Sequence, residues 1–218
     1  CYNRAILPES RMAISTYSEL KTAMADFLNR EDLTSIIPTF ISLGEARMSR
    51  DVRHWQMENR AATTIDGQYS TRPSDWVETI RLHLTGQDTS VVALLSTQAM
   101  ADKRQKGSNV AGKPAFYSHS EDQFEVFPTP DGSYAAELLY IQKIPALSDT
   151  VTTNWLLSSY PDIYLYGSLL NSAPYLAEDG RAEVWARLYG EAVDKLNVTS
   201  KSAAYSGVGL TTKIRGLG

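Results

Sequence analysis

The apolar and polar positions of this chain fall into three stretches with different periods. From 17 to 52 the period is helical. Leu20, Met24, Phe27 and Leu28 share one face, and after a polar break at 29–32 the series resumes with Leu33, Ile37, Phe40, Ile41, Gly44 and Met48. Thr16 stands where an N-cap belongs, with Glu19 at the capping-box position. Pro38 is expected in the first turn of a new helix, because an interior proline costs ~3 kcal/mol.

From 53 to 145 the chain reads as strands. Residues 77–84 alternate Ile80, Leu82 and Leu84 against Thr79, Arg81 and His83. Strands at 124–127 and 134–144 are joined through the turn signal Asp131-Gly132, and Asp66-Gly67 marks an earlier turn. Between strands, 96–105 reads as a short helix capped by Ser96. From 160 the helical period returns, opened by Pro161-Asp162 and broken at 177–180. Trp185, Leu188, Tyr189, Ala192, Leu196 and Thr199 then form an amphipathic stripe. The pattern predicts an α+β protein: an α-helical bundle from both chain ends (16–52 and 155–205) with an inserted antiparallel β-rich block (53–145).

The stretch "NWLLSSYPDIYLYGSLLNSAPYL" (154–176) holds a single charge, Asp162. A membrane span needs ~20 predominantly apolar residues. Here seven polar residues interrupt, and Pro161 and Pro174 are expected to cut the helix to about thirteen residues. Ser168, Asn171 and Ser172 make one thin polar strip on a helix otherwise apolar all round. Such a helix is covered on more than one side, by its own chain or by a neighbouring subunit. Tyrosines with polar tips suit an interface, which singles out Tyr160, Tyr164, Tyr166, Leu169, Tyr175 and Trp185 as candidate subunit contacts. A plain core helix satisfies the same pattern.

Composition narrows the function. A formal net charge of −4 argues against a dedicated nucleic-acid binder, whose affinity comes from Lys and Arg on phosphates. Cys1 is the only cysteine, which leaves no intrachain disulfide and no cysteine metal cluster. Residues 1–11 look foreign to the rest of the chain, and Met12 is the expected natural start.

Catalytic constellations are missing. Gly107, Gly112 and Lys113 have phosphate-loop spacing, but Pro114 stands where Ser or Thr must reach magnesium, and a strand comes next instead of a helix. His54, His83 and His119 lie far apart, with no second His or acid at ligand spacing. The pairs Glu31-Asp32, Glu121-Asp122 and Glu178-Asp179 read as caps and turns. "NVT" (197–199) matches a glycosylation sequon but lies on a predicted helix. No catalytic, cofactor or metal site is expected.

Two features favour contacts. Lys103, Arg104 and Lys106 make a local basic spot, either a DNA-channel or partner contact or simply cations offsetting a helix dipole. The run "SGVGLTTKIRGLG" (206–218) has no acid and too little apolar surface to fold alone.

In order, "TYSELKTAMADFLNREDL" (16–33), "IPTFISLGEARMSRDVR" (37–53), "RPSDWVETIRLHL" (72–84), "PAFYSHSEDQFEVFPTPDGSYAAELLYIQKIPALSD" (114–149) and the 154–176 stretch resemble the head-to-tail adaptor (connector) proteins of tailed bacteriophages and prophages. Residues 1–11 do not match. The resemblance implies a structural protein at the head-tail junction of the virion, not an enzyme. It implies a homo-oligomeric ring, usually of about twelve copies, beneath the portal protein and above a tail or nozzle protein. Double-stranded DNA would pass through its lumen without sequence-specific binding, and no membrane is involved. The extension 206–218 would then bind the portal through Val208, Leu210, Lys213, Ile214, Arg215 and Leu217. Two alternatives are a tail or baseplate structural protein and a small enzyme assembled from scattered residues such as His83, Glu125 and Glu137.

Overall fold

The computed structural model describes residues 14–86, 89–107, 110–176 and 180–205. In chain order they form α1 (Tyr17–Leu28), α2 (Ile37–Asp51), β1 (Glu58–Ile65), β2 (Tyr69–Thr71), β3 (Trp76–Leu84), β4 (Ser90–Leu94), α3 (Thr97–Lys106), β5 (Phe116–Ser120), β6 (Gln123–Phe127), β7 (Tyr134–Gln142), α4 (Trp155–Ser159), α5 (Pro161–Leu176) and α6 (Ala182–Tyr205). They fall into two units. One comprises the residues up to Trp55 and from Ile144 on; the other is Gln56–Lys143.

Local signals set the helix starts. The Thr16 hydroxyl accepts from Glu19 N–H at 3.3 Å, and the Glu19 carboxylate accepts from Thr16 N–H at 3.0 Å, closing the capping box. Asn29, in the left-handed region at φ 52°, ends α1. Thr16→Ala should lower stability by about 1 kcal/mol, readable as a small shift of the thermal midpoint. Pro38 sits in the first turn of α2. Ser96 caps α3 by accepting from Ala99 N–H.

In the helical unit α5 is central, and α1, α2, α4 and α6 all pack against it. In its polar strip Ser168 and Ser172 are buried as well, and Asn171 is half-buried. Ser172 donates to the Leu169 carbonyl at 2.7 Å, and Ser168 lies at the α2 crossing, where a Cβ on Gly44 would stand 3.1 Å from its hydroxyl. The helix runs on through Pro174 to Leu176 instead of stopping before the proline. Pro174 is exposed within the last turn, where the carbonyl it leaves unpaired can reach water.

In the β unit the strands form one sheet in the order β1-β7-β3-β4-β5-β6-β2. The outer strands β1 and β2 are consecutive in the chain, separated only by residues 66–68, so the two ends of the sheet approach and make a nearly closed barrel. Leu82, Val92, Tyr117, Phe124, Val126 and Leu138 belong to its core.

The expected fold class is corrected by this arrangement. The sheet is not antiparallel throughout: β4 and β5 pair in parallel, which α3 makes possible by serving as the long crossover that parallel neighbours require. The helices do not form a bundle from both chain ends. They are of unequal length, gathered around α5, and α3 belongs to the β unit, packed on β5. Strands β6 and β7, joined through Asp131-Gly132, are not neighbours in the sheet. Ile80 also leaves its expected inward phase. A register shift between Thr79 and Arg81 inserts a residue, so Leu82 and Leu84 face the core while Ile80 is exposed.

Candidate functional site

The strongest polar cluster of the helical unit is internal. Glu45 on α2 accepts from Leu147 N–H at 2.7 Å and from the Tyr164 hydroxyl at 3.1 Å. Asn154 donates to the Tyr164 oxygen at 2.6 Å and to the Pro145 carbonyl at 2.7 Å, while its own carbonyl caps α4 through Leu157 N–H. The segment 145–154 is thereby pinned to α2 and α5. Burial raises the Glu45 carboxyl above its usual range, opposed by the two hydrogen bonds it accepts. Burial first, and the neighbouring Glu45 second, push the Tyr164 phenol upward. A second cluster ties α6 to α2: Tyr189 donates to Asp51 at 3.0 Å, and Asn197 donates to the Asp51 carbonyl and accepts from Arg53 N–H. His54 stacks on Trp155, with ring centroids 5.1 Å apart, and meets Tyr160 edge-on. The hydrogen bonds of these clusters run between elements of the helical unit itself.

The candidate interface residues separate by exposure. Tyr164, Leu169 and Trp185 are buried inside their own unit, taken up by intramolecular packing. Tyr160 and Tyr166 are half-buried. Tyr175 is 57% exposed, with its ring edge-on to Phe40 at 5.6 Å. Phe27, Leu43 and Val184 are also exposed large apolar side chains of this unit. Arg181 links two of its helices by donating to the Phe27 carbonyl at 2.8 Å and lying over the Trp185 ring. The portal candidates Val208, Leu210, Lys213, Ile214, Arg215 and Leu217 lie outside the described residues.

In the β unit, Lys103, Arg104 and Lys106 occupy the last turn of α3. Arg104 is held within the unit by Glu125 at 2.5 Å and by the Val126 carbonyl at 2.6 Å. Lys103 lies over the Phe116 ring at 4.1 Å with its side chain exposed, and Lys106 is exposed. Only the two lysines therefore face outward.

The scattered residues of the enzyme alternative do not converge. His83 and Glu137 are cross-strand neighbours on β3 and β7, 3.8 Å apart, with Arg60 equally close to the same carboxylate. Glu125 sits on β6, bonded to Arg104 and Gln68. Burial holds His54 and His119 below the usual imidazole range, with Arg72 adding to the effect on His119. Among the described residues no group of three or more His, Cys, Asp or Glu could hold a metal ion. No helix among them is long and apolar enough to cross a membrane.

The described residues thus present exposed aromatic and aliphatic side chains on the helices, and lysines on a sheet-backed helix. The sequence model of the family described as SU10 adaptor protein matches residues 15–211, most of the chain. The chain belongs to the SU10 adaptor family. This is a phage adaptor family of structural proteins, and an adaptor acts by contact with other proteins of the virion. Comparison with curated proteins finds no match. Sequence reasoning missed the Glu45–Tyr164–Asn154 junction of the adaptor, because a lone Glu within a helix reads as a solvated position. Gly44 beside it admits α5 at close approach, and the 145–154 segment covers the carboxylate.

Proposed function

We propose that this adaptor is the head-to-tail connector of a tailed phage. Copies stand in a ring, usually of about twelve in the proteins it resembles, between the portal protein and a tail or nozzle protein. DNA passes through the lumen during packaging and ejection. The observation that carries this reading is the family match over 15–211, joined to the resemblance of its phrases to head-to-tail adaptors. Exposed Tyr175, with half-buried Tyr160 and Tyr166, supplies apolar, hydrogen-bonding surface for a neighbouring copy. Tyr164, Leu169 and Trp185 act indirectly, by fixing the helices that carry it. Of the basic spot on α3, Lys103 and Lys106 are free to meet a partner or passing DNA, and two cations alone do not bind phosphates tightly. The run 206–218 engages the portal through Val208, Leu210, Lys213, Ile214, Arg215 and Leu217.

A chain ended after Tyr205 tests the assignment. The expected outcome is a protein that folds with an unchanged thermal midpoint, and particles whose filled heads separate from their tails in electron micrographs. Particles with normal junctions would remove the portal role of 206–218. A tail or baseplate protein would instead leave heads intact and tails altered.

A further inference from the structure

The β unit carries a cationic cleft with no part in the folding clusters above. Residues Arg72, Pro73, Ser74, Trp76, Asp122 and Lys143 line a recess of about 410 Å³. Arg72 is its centre. Its side chain is only 13% exposed, with the guanidinium over the Trp76 indole at 4.1 Å from the ring centre. One terminal nitrogen donates to the Glu121 carbonyl. Among the described residues its ion-pair partner is Asp122, 3.7 Å away and fully exposed to solvent. The other N–H groups of Arg72, at Nε and Nη1, make no hydrogen bond with any described residue. Lys143, on the same recess, has no ion pair among the described residues, and its backbone N–H is fixed to the Asp75 carbonyl at 2.6 Å.

A charge withdrawn from water needs compensation, and a watery carboxylate at 3.7 Å gives little. The surroundings hold Arg72 in place nonetheless. Glu121, whose carbonyl it binds, has a φ of 48° in the tight β5–β6 turn, a conformation that side-chain-bearing residues rarely adopt. The guanidinium is therefore preorganised, with free donors beside an indole, a proline and a second cation. Arg and Trp in a recess are the usual anchors of protein interfaces, and a guanidinium fork matches a carboxylate.

We infer that this recess is the socket for an aspartate or glutamate side chain presented by another protein chain of the virion. A planar carboxylate fits between Arg72 and Lys143, and its methylene groups lie on Trp76 and Pro73. Duplex DNA fits less well: the guanidinium is recessed, Asp122 stands at the rim, and the ribose-phosphate backbone brings no apolar stem. The inference deepens the adaptor reading and rests on contact with virion proteins. It does not depend on the portal being the partner.

The test is a photo-reactive benzoylphenylalanine at the exposed position Ser74, irradiated in intact virions, with cross-linked peptides identified by mass spectrometry. The expected product is one protein segment with Asp or Glu within about three residues of the linked site. Its yield should fall about tenfold when Lys143→Glu is added, the loss expected of a charged pair. Arg72→Gln should do the same, but it also frees the β5–β6 turn; Lys143→Glu leaves that turn alone and guards against misfolding. Lysine in place of the partner acid, combined with Lys143→Glu, should restore the yield. A linked segment without an acid, a link to DNA, no link, or a yield unmoved by Lys143→Glu would each overturn the socket. If the linked chain is not the portal, the socket stands while the portal assignment above remains open to its own test.

Discussion

Gly167→Val is expected to lower the stability of the helical unit by about 3 kcal/mol or more, a drop of roughly 10 °C in its thermal midpoint. Gly167 is where α5 meets α2 and α6 together. A Cβ there would stand 3.0 Å from both the Met48 methyl and the Tyr189 ring. Met48 can turn aside. Tyr189 cannot, since it is buried, hydrogen-bonded to Asp51 at 3.0 Å and covered by the Arg47 guanidinium at 5.2 Å. Gly167→Ala should cost less, because better helix propensity returns up to about 1 kcal/mol against the clash. Gly190 is the control. It lies inside α6 with open space where a Cβ would go, so Gly190→Ala should stabilise by about 0.5–1 kcal/mol. Chemical denaturation of the three variants decides it; a valine variant as stable as the parent would mean that α5 and α6 can part freely.

The second large effect belongs to Glu45. Glu45→Ala leaves Leu147 N–H and the Tyr164 hydroxyl without their acceptor in a buried place, and should cost about 3 kcal/mol. Glu45→Gln keeps an acceptor oxygen and should cost little at neutral pH. The two forms differ in their response to acid. Because burial raises the Glu45 carboxyl in the folded chain, the folded state binds its proton more readily than the unfolded state. Stability from this group is therefore gained as pH falls through the raised value, is complete below the ordinary 4.5, and is lost on the way back up. The facing groups are the Tyr164 hydroxyl, Leu147 N–H and, more distantly, Tyr17, none of which titrates in that range. Glu19 and Asp32, held below their ordinary range, act in the opposite sense, so the measurement is the difference between wild type and Glu45→Gln. From pH 8 to pH 4 the melting curve of wild type should rise relative to that of Glu45→Gln if the assignment holds. Parallel curves would refute it.

Short-range features were legible in the sequence because their cause is local. Thr16 with Glu19, Ser96 ahead of α3 and Pro161 at the start of α5 act within one turn of themselves. Strand neighbours are a different matter. Turn residues between β6 and β7 fix a change of direction but not a partner, and the closure of the sheet sends β6 to β5 and β2, and β7 to β1 and β3. The helix read at 96–105 already contained the parallel β4–β5 pair, since a helical crossover is how parallel neighbours are joined. Ile80 was misplaced because alternation assumes an unbroken register, and one extra residue reverses it. Pro174 does not stop α5 because it stands so near the helix end, where few hydrogen bonds remain to be lost. The Arg72 recess left no trace in the sequence: Arg72, Trp76, Asp122 and Lys143 are brought together only by the folding of the sheet.

Glu58 and Ile141, at the entrance and exit of the β unit, face each other across one rung of β1 and β7, about 5 Å apart. A cassette whose two doors open side by side can be exchanged, lengthened or deleted while the flanking chain keeps the same gap to bridge. Replacing the strands between these two points with a segment that keeps the same spacing should leave the helical unit's thermal midpoint unchanged.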